Sequence, residues 1–133
     1  MATIKSYTDL EQSRKLAAIL PLESADMYWS RCTITDFGDG VLKVSYTIEP
    51  CNISQFRNTK EDIPCWSLSA LLGVLPTTKG KDTANPFIAK TPDNEYYVVY
   101  TTLTKEVNNS ATYDNPIDAC YNMIIHLHKL NVL

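Results

Sequence analysis

Apolar positions follow helical spacing in three segments of the chain. In the first, Leu10, Leu16 and Leu20 fall on one side of a helix, which Pro21 should end. Thr8 and Glu11 have capping-box spacing and predict the start of this helix. A second helix is predicted to begin near residue 62 or 64 and to stop at residue 76. A third is predicted from residue 115, where an Asn cap is followed by Pro.

Between these helices, the pattern predicts two β-hairpins. The first joins strands at 27–35 and 41–48, and its second strand alternates cleanly between apolar and polar residues. The second joins strands at 86–91 and 95–103 around a turn at 92–94 that carries Pro, Asp and Asn. Apolar residues show no regular spacing in three segments, which are therefore predicted to be loops: 49–62, 77–85 and 104–114.

The two hairpins each follow a helix that ends in Leu-Pro, at Leu20-Pro21 and again at Leu75-Pro76. This recurrence suggests an internal repeat, although helices that end in Leu-Pro also arise by chance. The order αββ-αββ-α predicts an α+β fold: a four-stranded, mainly antiparallel sheet with the helices packed on one face.

Length and composition fit one soluble globular domain, which we expect to span residues 1–133. The chain is 44% hydrophobic and 20% charged, and no apolar run is long enough to cross a bilayer. No signal peptide is visible, so we expect a cytoplasmic location. The net charge of −3 argues against a general nucleic-acid binder.

Candidate catalytic chemistry is sparse. Four cysteines, at positions 32, 51, 65 and 120, lack the close spacing of a zinc or redox motif. Cys65 would lie in the first turn of the predicted second helix, where the helix dipole could lower the pKa of its thiol. His126 and His128 are two residues apart on a helix and would project in different directions. We therefore expect no catalytic residue, metal or cofactor, with a cysteine-dependent enzyme using Cys65 as the alternative.

Basic loop residues provide a second alternative. Arg57 and Lys60 lie in one long predicted loop, and Lys79 and Lys81 lie in the next. Together they could bind a phosphate or nucleic-acid ligand, but the spacing does not fit a P-loop, and solvated loop residues that aid solubility are the favoured explanation.

Aromatic residues give a better indication of a surface. If the helices cover one face of the predicted sheet, Tyr96, Val98 and Tyr100 point to the other face, and Trp29 on the first strand could join them. An uncovered face of this kind would mark a partner or dimer surface. The competing interpretation is that a loop or helix covers this face.

Three stretches, 20–28, 64–72 and 113–121, resemble a group of small uncharacterised proteins from gut anaerobic bacteria and their phages or mobile elements. The resemblance covers most of the chain and implies a cytoplasmic accessory protein of phage or mobile-element origin. It transfers no functional residue, because the matched stretches hold helix starts, helix stops and core positions.

These observations favour a non-enzymatic interaction protein. Its expected surface is Trp29, Tyr96, Val98 and Tyr100, and its expected partner is another protein or a second copy of the chain.

Overall fold

A computed structural model describes residues 5–35, 42–47, 50–53, 62–76, 85–101, 106–108 and 111–130. The chain divides into two compact units. The first unit is Asp9–Trp66, and the second combines Met1–Thr8 with Ser67–Leu133. The expectation of one domain spanning 1–133 remains a prediction.

Helix α1 of the first unit spans Leu10–Ala17, and a 3-10 helix follows at Leu22–Ser24. The capping box is one residue later than predicted. Asp9 accepts a hydrogen bond from the backbone of Gln12, whose side chain in turn accepts one from the backbone of Asp9. A carboxylate at this position also interacts favourably with the helix dipole, so Asp9 is the stronger cap.

The described residues of the first unit form five strands in two sheets. Strand β1 (Met27–Trp29) lies between β4 (Cys51–Asn52) and β5 (Ile63–Cys65), and it pairs with both in antiparallel register. Strands β2 (Arg31–Thr35) and β3 (Leu42–Tyr46) form a separate antiparallel ribbon. The predicted strand at 27–35 is therefore divided at Ser30, and its halves belong to different sheets.

Helix α2 of the second unit spans Leu68–Val74. The prediction that it begins near residue 62 or 64 was wrong. Ile63–Cys65 instead pairs with β1, and the Ser67 side chain caps the helix by accepting a hydrogen bond from the backbone of Ala70. The helical spacing of Leu68, Leu71 and Leu75 was correctly predicted as helix, but it does not fix where the helix starts.

The remaining strands form one antiparallel sheet in the order β6-β7-β8. Strand β6 is Asn85–Lys90, β7 is Tyr96–Thr101 and β8 is Glu106–Asn108. The β6–β7 hairpin lies close to its predicted position. Its turn contains Asn94 with φ of 61°, a left-handed conformation that Asn tolerates better than most residues.

Helix α3 spans Pro116–Lys129, as the Asn115-Pro116 signal predicted. The Asn115 side chain accepts a hydrogen bond from the backbone of Asp118 and donates one to its carboxylate. Lys5 also donates to this carboxylate over 3.0 Å. Residues 5–8 are thereby tied to the second unit, where Tyr7 also forms a β-bridge with Ser67.

The fold is α+β with antiparallel sheets. The predicted single four-stranded sheet is wrong: the described residues form two three-stranded sheets and one ribbon. In the first unit, both edges of β1 are occupied by β4 and β5. In the second, β7 already has β6 on one side and β8 on the other.

Each unit contains one copy of the sequence motif that ends in Leu-Pro. The leucines that match between the copies are buried in both: Leu16 with Leu71, and Leu20 with Leu75. These positions therefore serve the core, where burial of a leucine side chain contributes about 1.5–3 kcal/mol.

Candidate functional site

The β6–β7 hairpin presents two different faces. Residues paired across the hairpin share a face, so Pro86, Ile88 and Lys90 lie with Tyr100, Val98 and Tyr96. We call this the α3 face, because Tyr100 lies close enough to Cys120 of α3 for the thiolate charge to affect its phenol. The opposite side, which we call the Phe87 face, contains Phe87, Ala89, Tyr97 and Val99.

The predicted aromatic surface is not an exposed one. Val98 and Tyr100 are buried on the α3 face, and Tyr96 is half-buried there. Trp29 is also buried, in the β4-β1-β5 sheet of the other unit, with its indole N–H donating to Ser13. The sequence reasoning thus assigned Tyr96, Val98 and Tyr100 to the wrong face, since it expected them to point away from the helices.

Phe87 is the exposed large hydrophobic residue on this hairpin. The residue is 52% exposed, although its cross-strand partner Val99 is buried. Ala89 and Tyr97 form the next pair on the same face and are both half-buried. Phe87 and Leu130 are the large hydrophobic side chains that are exposed in the described part of the chain.

Among the described residues, strand β6 pairs with β7 alone and so lies at the edge of its sheet. The backbone N–H and C=O of Tyr96 bond to Tyr113 and therefore point away from β6. Since pairs alternate along an antiparallel ladder, the pairs Lys90–Tyr96, Ile88–Val98 and Pro86–Tyr100 all lack mutual hydrogen bonds. The backbone groups of Pro86, Ile88 and Lys90 consequently point outward from the edge.

Sequence reasoning missed Phe87, but the sequence does contain a signal for it. Proline cannot donate to a ladder, so it occurs in sheets at outward-facing positions of edge strands. Pro86 occupies such a position, directly before Phe87. An edge strand is covered on fewer sides than a central one, which explains why the Phe87 ring remains exposed.

Tyr100 and Cys120 form a buried polar pair in the second unit. Both are almost fully buried, and the Tyr100 hydroxyl has no hydrogen-bond partner among the described residues. Burial and the nearby Cys120 raise the pKa of Tyr100 to about 12, and burial raises the pKa of the Cys120 thiol to about 12. Both groups are neutral near pH 7, so this pair supplies neither a thiolate nor a phenolate there.

The position of Cys65 differs from the one predicted from the sequence. The residue lies on β5, is completely buried and precedes the start of α2. It therefore lacks the helix-terminal position on which the cysteine-enzyme alternative rested. Cys51 is a half-buried free thiol on β4. Within the described ranges, no three His, Cys, Asp or Glu side chains are grouped so that they could hold a metal ion.

His126 and His128 are both exposed on α3. Arg57, Lys60, Lys79 and Lys81 lie outside the described residues, so phosphate or nucleic-acid binding through them remains a prediction from sequence. None of the helices that the structure describes is long and apolar enough to cross a membrane. The chain matches no protein-family model, no curated protein and no solved structure.

Proposed function

We propose that this protein is a non-enzymatic interaction protein whose contact surface is centred on Phe87. The observation that carries the proposal is the half-exposed phenyl ring at the edge of an antiparallel sheet. The partner is another protein or a second copy of the chain. The sequence resemblance adds a cytoplasmic, phage- or mobile-element-related setting to the proposal.

The free energy gained by covering Phe87 supports a role for this residue in binding another protein chain. Complete burial of a phenylalanine side chain is worth about 1.5–3 kcal/mol, so covering the exposed half of Phe87 would contribute roughly 1 kcal/mol from apolar area alone. Tyr97 and Ala89 continue the same face and add further contact area. Aromatic residues are enriched at protein interfaces, and a few central ones often supply most of the binding free energy.

The test compares Phe87→Ser with Leu130→Ser. Leu130 is the matched control because it is similarly exposed, at 58% against 52%, but lies at the end of α3. Self-association of each variant is measured by sedimentation. Binding of other proteins is measured by a pull-down from a lysate of the cell in which the protein is naturally made. Thermal unfolding establishes that each variant is folded.

We expect Phe87→Ser to remove self-association or a specific retained protein, whereas Leu130→Ser behaves like the wild type. Equal behaviour of all three folded proteins would overturn the proposal.

A further inference from the structure

We propose that the partner is a second copy of this chain, joined edge to edge through β6 in antiparallel register with Ile88 opposite Ile88. This inference rests on the proposed function and specifies its partner. It would extend the β6-β7-β8 sheet of each copy into one continuous six-stranded sheet.

The outward backbone groups of β6 fit those of a second β6. Ile88 and Lys90 each direct a backbone N–H and C=O outward, and Pro86 directs a C=O but has no N–H. With Ile88 opposite Ile88, each Ile88 N–H donates to the Ile88 carbonyl of the other copy. Each Lys90 N–H donates to the Pro86 carbonyl of the other copy, which gives four hydrogen bonds in total.

Pro86 disfavours one competing register. In the proposed arrangement both prolines lie at the ends of the paired segment, where the unmatched Lys90 carbonyl can be solvated by water. A shift by two residues in the direction that brings Pro86 opposite Ile88 would leave a carbonyl unpaired near the centre and lose hydrogen bonds. The opposite shift, with Ile88 opposite Lys90, also makes four hydrogen bonds and does not involve Pro86. It places Phe87 opposite Thr91 instead of the smaller Ala89, so the side chains separate these two registers.

The side chains on the Phe87 face fit the same register. Phe87 of one copy lies opposite Ala89 of the other, so a large ring meets a small side chain in each of two equivalent pairs. These pairs lack mutual hydrogen bonds, and their Cα atoms would be about 4.5 Å apart. The arrangement covers the exposed Phe87 ring with side chains that are already present on the strand.

The charges are compatible with this contact. Lys90 is the charged residue of β6, and the proposed register places the two Lys90 residues at opposite ends of the paired segment. Their offset of four residues corresponds to about 13 Å along the strand. That separation exceeds the Debye length of ~8 Å at physiological ionic strength, so repulsion between them is largely screened.

Register-specific cross-linking tests the proposal. Ile88→Cys is prepared in a Cys32→Ser, Cys51→Ser background, since the remaining Cys65 and Cys120 are buried. Directly opposed residues that exchange hydrogen bonds have Cα atoms about 5.5 Å apart, within the range that a disulfide spans. Lys90→Cys is the matched control on the same strand and face, because its two copies would be too far apart to join.

We expect mild oxidation to give a covalent dimer with Ile88→Cys and none with Lys90→Cys or the background protein. Ile88→Pro supplies a second test. It removes an N–H that β7 does not use, and it should weaken self-association at least about tenfold while the fold is retained.

Two results would overturn the second-copy inference: a monomer at every concentration, or equal cross-linking at positions 88 and 90. If Phe87→Ser still abolishes binding of a different protein in that case, the interaction function survives and only the identity of the partner is wrong. If Phe87→Ser changes no association at all, the proposed function itself fails.

Discussion

The indole N–H of Trp66 donates a hydrogen bond of 3.0 Å to the hydroxyl oxygen of Ser24. Ser24 in turn donates to the backbone carbonyl of Pro21 over 2.6 Å, which fixes the direction of the hydroxyl. Trp66 is completely buried, so this arrangement anchors a buried tryptophan of the first unit to its 3-10 helix. Trp29 is held in a similar way by Ser13 of α1.

Replacement of Ser24 by Ala should lower the free energy of unfolding by about 1–3 kcal/mol. The physical reason is that the buried indole N–H would lose the hydroxyl acceptor that replaces water in the folded state. Urea unfolding followed by tryptophan fluorescence measures the change. Trp66→Phe in the Ser24→Ala background provides the control through a double-mutant cycle: additive effects of the two substitutions would show that the bond contributes nothing.

Tyr100→Phe should leave stability unchanged or raise it by up to about 1 kcal/mol. The substitution removes a buried hydroxyl with no partner among the described residues and keeps the ring. Tyr100→Asp should instead unfold the protein, because it places a carboxylate in a buried position. Thermal unfolding and circular dichroism distinguish these outcomes. A folded Tyr100→Asp variant with altered association would restore Tyr100 to the contact surface.

Stability should fall in alkaline solution. Tyr100 and Cys120 have folded-state pKa values raised to about 12, from ordinary values of 10 and 9. Above pH 9 the unfolded chain therefore loses protons that the folded protein retains. Their contribution is complete below about pH 9 and is lost as the pH rises to 12, amounting to a few kcal/mol.

Urea unfolding at pH 8 and pH 11 checks this dependence. Tyr100→Phe and Cys120→Ala should each show a smaller loss than the wild type between the two pH values. Identical losses in all three proteins would show that other groups control the alkaline transition.

Gly73→Ala should stabilise the protein by about 0.4–1 kcal/mol. Gly73 is exposed within α2, and beyond the nearby backbone of its own helix an added Cβ atom would meet no heavy atom of the described residues within 4 Å. Alanine restricts the unfolded chain and favours the helix, with no clash to offset the gain. A lower melting temperature for Gly73→Ala would indicate that the backbone at this position requires glycine.

Local signals in the sequence predicted several elements well. Asn115 and Pro116 mark the start of α3, and the turn residues at 92–94 mark the β6–β7 hairpin. These elements depend on contacts between residues close in sequence. The β4-β1-β5 sheet was not predictable in this way, because the pairing of Met27 with Asn52 and Cys65 depends on distant segments.

The candidate site shows a different limit of sequence reasoning. Alternation along β7 correctly separates Tyr96, Val98 and Tyr100 from Tyr97 and Val99. Both groups are apolar or aromatic, however, so the pattern alone could not indicate which group faces α3. The face directed toward α3 is identified by the proximity of Tyr100 to Cys120, which lies 20 residues further along the chain on a separate element.

The salt bridge between Lys5 and Asp118 joins positions 113 residues apart, whereas Asp9–Trp66 is continuous in sequence. During translation, Asp9–Trp66 can therefore complete its contacts while later codons are still being read. In the other unit, Lys5 can form its salt bridge only after Asp118 of α3 has emerged from the ribosome. Release of the nascent chain before Asp118 would thus leave Asp9–Trp66 complete in sequence and the other unit without its salt bridge.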